Sequence, residues 1–110
     1  MGREQVKQFG IFWVILDPTL GSEIAKTRPC VVVSPDEMNE NLRTIIVAPL
    51  TSTKKDSYPF RADCMVSGRA GSIALDQIRT IDKKRIGNYM GTLNASEITR
   101  VKEILQEMFA

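Results

Sequence analysis

The sequence predicts a mainly β domain with some α: a small, strongly curved antiparallel sheet or SH3-like barrel carrying a C-terminal amphipathic helix. Three observations point there. Short apolar runs recur through most of the chain and stop at Pro, Gly, Asn or Asp. The hydrophobic period turns helical only near the end. At 110 residues, 43% hydrophobic and 25% charged, the chain suffices for one core and not for two, so residues 1–110 are expected to form one domain.

The elements follow in order. Phe9 to Leu16 is almost continuously apolar, includes Trp13 and stops at Asp17-Pro18, the pattern of a buried strand and a turn, with Trp13 expected in the core. A polar loop from Thr19 to Thr27 leads through Pro29 into a second strand, Cys30 to Val33. Ser34-Pro35-Asp36-Glu37 reads as a short helix start with Ser34 as hydroxyl N-cap, ending near Asn39 to Asn41. Thr44 to Leu50 is the third strand, and Pro49, lacking a ladder donor, predicts an edge or a bulge there. A polar loop spans Thr51 to Tyr58, then come a strand from Phe60 to Val66 and a turn over Ser67 to Gly71. Ser72 to Thr80 alternates partly, with Ile73, Leu75 and Ile78 inward, and a weak final strand lies around Tyr89 to Leu93. Asn94 with Glu97 three residues on forms a cap signature, and Ile98, Val101, Leu105 and Met108 make the buried stripe of the helix that follows.

Composition narrows the chemistry. A net charge of +2 does not by itself announce a nucleic-acid ligand. Locally, Arg79, Lys83, Lys84 and Arg85 surround one acid, Asp82, a cluster that reads equally as a phosphate contact or as a solvated turn. Cys30 and Cys64 read as buried free thiols, although their spacing leaves a disulfide open. No apolar run approaches the roughly 20 residues of a membrane span, and no signal peptide is evident, so a cytoplasmic location away from membranes is expected.

With no histidine, the commonest near-neutral base and metal ligand is missing, and two separated cysteines do not make a zinc site. Neither standard phosphate-binding glycine loop nor a nucleophile-elbow serine occurs. No metal or cofactor is expected. One reaction still suits arginine, hydroxyl and carboxylate: transfer of an RNA phosphodiester onto its own 2′-hydroxyl, because the substrate carries the nucleophile. Arg28 would clamp the phosphoryl oxygens as their charge grows, Thr51 or Ser52 would donate to them, and Glu23 would accept the 2′ proton, with Asp76 as rival or orienter. Taken singly, each of these residues also fits an ordinary loop or surface role.

Taken in order, the chain resembles the MazF/PemK toxins of bacterial type II toxin–antitoxin systems. The matching segments are Gly10-Ile11-Phe12-Trp13, Asp17-Pro18-Thr19, Gly21-Ser22-Glu23, Arg28-Pro29-Cys30-Val31-Val32-Val33-Ser34-Pro35 with a downstream Asn39 or Asn41, Ala48-Pro49-Leu50-Thr51-Ser52, Tyr58-Pro59-Phe60, and Asp76-Gln77-Ile78-Arg79-Thr80-Ile81-Asp82 with Arg85. They cover nearly the whole chain. The resemblance implies a plasmid-maintenance-toxin fold, a homodimer, and metal-independent, sequence-specific cleavage of single-stranded RNA to 2′,3′-cyclic phosphate and 5′-hydroxyl ends. It also implies a cognate antitoxin with an acidic, flexible tail. By the same resemblance Arg28 matches a phosphate-stabilising arginine, Thr51 its hydroxyl partner and Glu23 an acidic loop position. Ser52, Lys54, Lys55, Asp76, Gln77 and Arg79 are expected along the substrate path.

One position departs from the pattern. Some relatives carry an arginine two residues before the acid of the Asp-Gln pair, where this chain has Ala74, so that arginine–aspartate arrangement is incomplete. Two rival readings follow: a non-enzymatic toxin directed at DNA gyrase, sharing the general fold, and a catalytically silent binding module.

Overall fold

A computed structural model of the chain describes residues 5–52 and 59–110. Among the described residues, seven strands and two α-helices run in the order β1 (Gly10–Ile15), β2 (Thr27–Val32), α1 (Asp36–Asn41), β3 (Thr44–Thr51), β4 (Arg61–Val66), β5 (Arg69–Ala74), β6 (Arg79–Asp82), β7 (Ile86–Thr92) and α2 (Ala95–Met108). All strand pairings are antiparallel, in the order β4-β5-β3-β2-β1-β7, with β6 on β3 outside that path. The result is a curved half-barrel with a C-terminal helix.

The near-continuous apolar runs reflect burial on both faces. Ile11, Val31, Ala48, Leu50 and Ile73 join Val101 and Ile104 of α2 in one core, while Phe12, Val14, Cys30, Val32, Ile45 and Val47 fill a second. Because side chains alternate along a strand, β1, β2 and β3 feed both cores at once. Helix α2 starts as expected: Asn94 Oδ1 accepts from the Glu97 amide, and Glu97 Oε1 accepts from the Asn94 amide. Its stripe includes Ile104, fully buried and absent from the sequence reading, alongside Val101.

Several expectations need correction. Ser34 does not cap α1. The N-cap is Pro35 without a side-chain bond, and the buried Ser34 hydroxyl instead donates to Asn39 Oδ1 and accepts from the Ile46 amide. A buried hydroxyl must be hydrogen-bonded, and Asn39 and Ile46 satisfy both its donor and its acceptor. Pro49 is not on an edge strand, since β3 is interior. It pairs with Cys30 of β2 on one side; on the other, β6 ends at Val47 and β5 begins at Leu50, so its missing N–H falls at that handover. The turn expected over Ser67 to Gly71 is only Ser67-Gly68, both in the left-handed region at φ 51° and 78°, as a tight two-residue hairpin requires. The Ser72 to Thr80 segment is three pieces: the end of β5, a 3₁₀ turn over Leu75–Gln77, and the start of β6. Both cysteines are buried free thiols.

Candidate active site

The register of β2 and β3 brings the leading pair of residues together. Cys30 sits opposite Pro49, and two residues along each antiparallel strand, on the same face, come Arg28 and Thr51. Both line one open cleft of about 520 Å³, with Ser52 beside them. Close packing shapes this wall: a Cβ on Gly71 of β5 would lie 3.2 Å from the Thr51 carbonyl oxygen, so only glycine lets β5 approach there without displacing β3.

Arg28 is half-buried, and its Nε donates to the Ala25 carbonyl at 3.0 Å. That bond uses the inner edge of the guanidinium and orients the fork. Cys30 lies between the fields of two arginines. Burial pushes its thiol pKa up to about 12, against the opposing pull of Arg79 and Arg28.

The remaining predicted residues gather in a second cleft, of about 490 Å³. It is lined by Glu23, Asp76, Gln77 and Arg79, with Pro49 bordering it and Leu50 the first. Glu23 Oε1 accepts from the Leu20 amide at 2.7 Å, closing the tip of the β1–β2 loop. Asp76 is held by Arg61, whose Nε and Nη2 donate to its two carboxylate oxygens at 2.9 and 3.1 Å. Arg61 pairs across the sheet with Ala74, so the arginine missing at 74 is supplied to Asp76 from the neighbouring strand. Gln77 Oε1 accepts from the Ile24 amide at 2.7 Å. Arg79 donates to the Leu16 carbonyl. Lys54 and Lys55 lie outside the described residues.

The basic cluster is used largely for anchoring. Besides Arg79, Arg85 donates to the Ile15 and Asp17 carbonyls, and Lys83 to that of Asn39, which ties β6 and the turn after it to the end of β1 and to α1.

Among the lining residues that sequence reasoning missed, three shape the chemistry of the cleft. Trp13, expected in the core, is 40% exposed and faces the Arg28 cleft. The odd face of β1 is buried at Ile11 beside the α2-side core but emerges at Trp13 and Ile15. A continuous apolar run conceals that transition. Met90 of β7 and Arg69 of the β4–β5 hairpin complete the wall, Arg69 bringing a second guanidinium to the cleft. The Ser67-Gly68 dipeptide was the available signal for Arg69, since a two-residue hairpin makes residue 69 a strand residue rather than a turn residue.

Residues 7–109 match the family described as "PemK-like, MazF-like toxin of type II toxin-antitoxin system". The chain belongs to this family. Among its relatives is the endoribonuclease toxin MazF of Escherichia coli (strain K12), 34% identical over 93 residues and covering 84% of this chain and 83% of the relative. Endoribonuclease EndoA of Bacillus subtilis (strain 168) is 33% identical over 106 residues, covering 92% and 91%. The fold matches a crystal structure of MazF from Deinococcus radiodurans with a TM-score of 0.83 at 23% identity, over 96% of this chain and 97% of that one. It also matches a MazE–MazF structure from the same organism, with a TM-score of 0.76 at 21% identity and 97% coverage of each chain. The family match over residues 7–109 accounts for the ordered motifs along the chain. Among the described residues, no helix is long and apolar enough to cross a membrane.

Proposed function

We propose that this family member is a metal-independent endoribonuclease toxin acting on single-stranded RNA in the cytoplasm and neutralised by a cognate antitoxin. One observation carries the reading: Arg28 and Thr51, from different strands, share one cleft with a half-exposed tryptophan and a second arginine. That set suits a phosphodiester, with a cationic fork and a hydroxyl for the anionic oxygens and an aromatic face for an adjoining base.

The substrate's 2′-oxygen attacks the adjacent phosphorus in line, the P–O5′ bond breaks, and a 2′,3′-cyclic phosphate and a 5′-hydroxyl result. The 2′ proton leaves to a base, and the departing 5′-oxygen takes one from solvent, to which the base later returns its own. Arg28, with Nε occupied by Ala25, turns its terminal nitrogens to the non-bridging oxygens, where its hold strengthens as charge develops. Thr51 donates a hydrogen bond to the same oxygens. Carboxylates of the neighbouring cleft are the candidates to take the 2′ proton: Glu23 has one oxygen on the Leu20 amide, whereas Asp76, with both oxygens on Arg61, is the poorer acceptor and serves to organise the second cleft. Arg69, Ser52, Lys54 and Lys55 follow the RNA backbone, and the second cleft, with Asp76 and Arg79, contributes sequence preference. Two copies form the working toxin. The acidic, flexible tail of the antitoxin competes for the arginines and the apolar wall of the Arg28 cleft, ordering as it binds.

The test is incubation with a defined single-stranded RNA pool in excess chelator, followed by end mapping. Cleavage at a short recurring sequence with cyclic-phosphate ends is expected, and a 2′-deoxy substitution at the scissile nucleotide abolishes it. Intact RNA, or cutting that ignores the 2′-deoxy block, overturns the proposal.

A further inference from the structure

Arg28 takes its orientation from a loop that is itself held from outside. Its Nε is bonded to the Ala25 carbonyl, one residue beyond Ile24. The Ile24 amide donates to Gln77 Oε1, and the Ile24 side chain packs against the core that contains Cys30. Gln77 sits at the end of the 3₁₀ turn Leu75–Gln77, and the preceding residue of that turn, Asp76, is gripped at both oxygens by Arg61. The Arg61 side chain is only 11% exposed and lines neither cleft. A chain of directional bonds therefore runs from β4 through the 3₁₀ turn and the β1–β2 loop to the guanidinium.

We propose that Gln77 is a positioning residue for Arg28, acting as a latch on the Ile24 amide, with the Arg61–Asp76 pair holding the latch in place. The role rests on the ribonuclease reading of the Arg28 cleft. Gln77 need not touch RNA to matter: its oxygen sets where Ala25 lies, and Ala25 sets how the arginine fork meets the phosphate. Arg61 acts one step further back, through Asp76.

The experiment compares wild type with Gln77→Met, Gln77→Glu and Arg61→Ala. It measures hydrogen exchange at the Ile24 amide in RNA-free protein together with steady-state cleavage. Gln77→Met keeps length and bulk but loses the acceptor, whereas Gln77→Glu retains one. Gln77→Met is expected to speed Ile24 exchange about five- to tenfold, the worth of one ordinary hydrogen bond. It is expected to lower kcat by about 10- to 100-fold, as misplacement of a reacting group does, with KM within about threefold of wild type. Gln77→Glu restores slow exchange and most of kcat, and Arg61→Ala moves both readouts in the direction of Gln77→Met. Unchanged Ile24 exchange in Gln77→Met overturns the latch. A loss expressed in KM with exchange unchanged reassigns Gln77 to direct substrate contact, and an Arg61→Ala protein that exchanges and cuts like wild type removes Arg61 from the device. Because exchange is read without RNA, failure of the latch is distinguishable from failure of the ribonuclease reading, which appears as a wild type that cuts nothing.

Discussion

Replacing Arg28 with alanine separates catalysis from folding by scale. In the folded protein Nε of the side chain donates to the Ala25 carbonyl, and the residue lines the cleft. Losing the bond to Ala25 costs about 1 kcal/mol of stability, a fall of about 4 °C in Tm for a domain of this size. Losing the charged fork at the phosphoryl oxygens costs about 3–4 kcal/mol of transition-state stabilisation, a rate loss of about 10²- to 10³-fold. Arg28→Lys keeps the charge but gives up both the Nε bond and the planar fork, so it regains about tenfold over alanine and no more. The assay is single-turnover cleavage of a fluorophore–quencher RNA in chelator, with thermal melts of each variant. An alanine variant that melts near wild type and cuts within about threefold of it would refute the assignment of Arg28.

Trp13→Ala removes the stacking face and should weaken RNA binding by about 1–3 kcal/mol per stacked base, read on the folded variant by fluorescence anisotropy on an uncleavable 2′-deoxy analogue; unchanged affinity returns Trp13 to a packing role. Asn94→Ala removes the capping box of α2 and should destabilise the fold by about 1 kcal/mol without altering the cleavage pattern, as measured by denaturant melts and end mapping. Burial raises both thiols from 9.0 to about 12, Cys64 with help from Glu97 and Asp63, so neither should react with a thiol reagent at pH 8 until the chain is unfolded. In the unfolded chain these thiols ionise from about pH 9, whereas in the native fold they remain protonated to about pH 12. Their contribution to stability is therefore full below pH 9 and declines as pH rises from 9 to 12. Alkaline melts that stay flat across that interval would contradict it.

The architecture was legible because local chemistry and global packing agree over most of the chain. Apolar runs at β1, β2 and β3 read as strands largely buried on both sides, and Asn94 with Glu97 specified the start of α2 through bonds only three residues apart. Arg28 and Thr51 were legible as candidates because their residue types suit phosphodiester chemistry and their motifs follow a family order. Properties set by register and curvature were not legible. Whether Pro49 marks an edge depends on which strands flank β3, and whether Trp13 is core or cleft depends on where one face of β1 runs past the end of the cover provided by α2. Ser34 was read as a cap because sequence shows only its neighbours; its true partners, Asn39 and Ile46, become adjacent only when α1 folds back on β3. Likewise the partner of Asp76 is not the residue two positions before it but Arg61 across the sheet, reached through strand pairing. The sequence alone thus determined most of the elements, the family pattern and the reaction its residue types permit. Tertiary structure decided which side chains meet, because contacts across a sheet are set by register and not by distance along the chain.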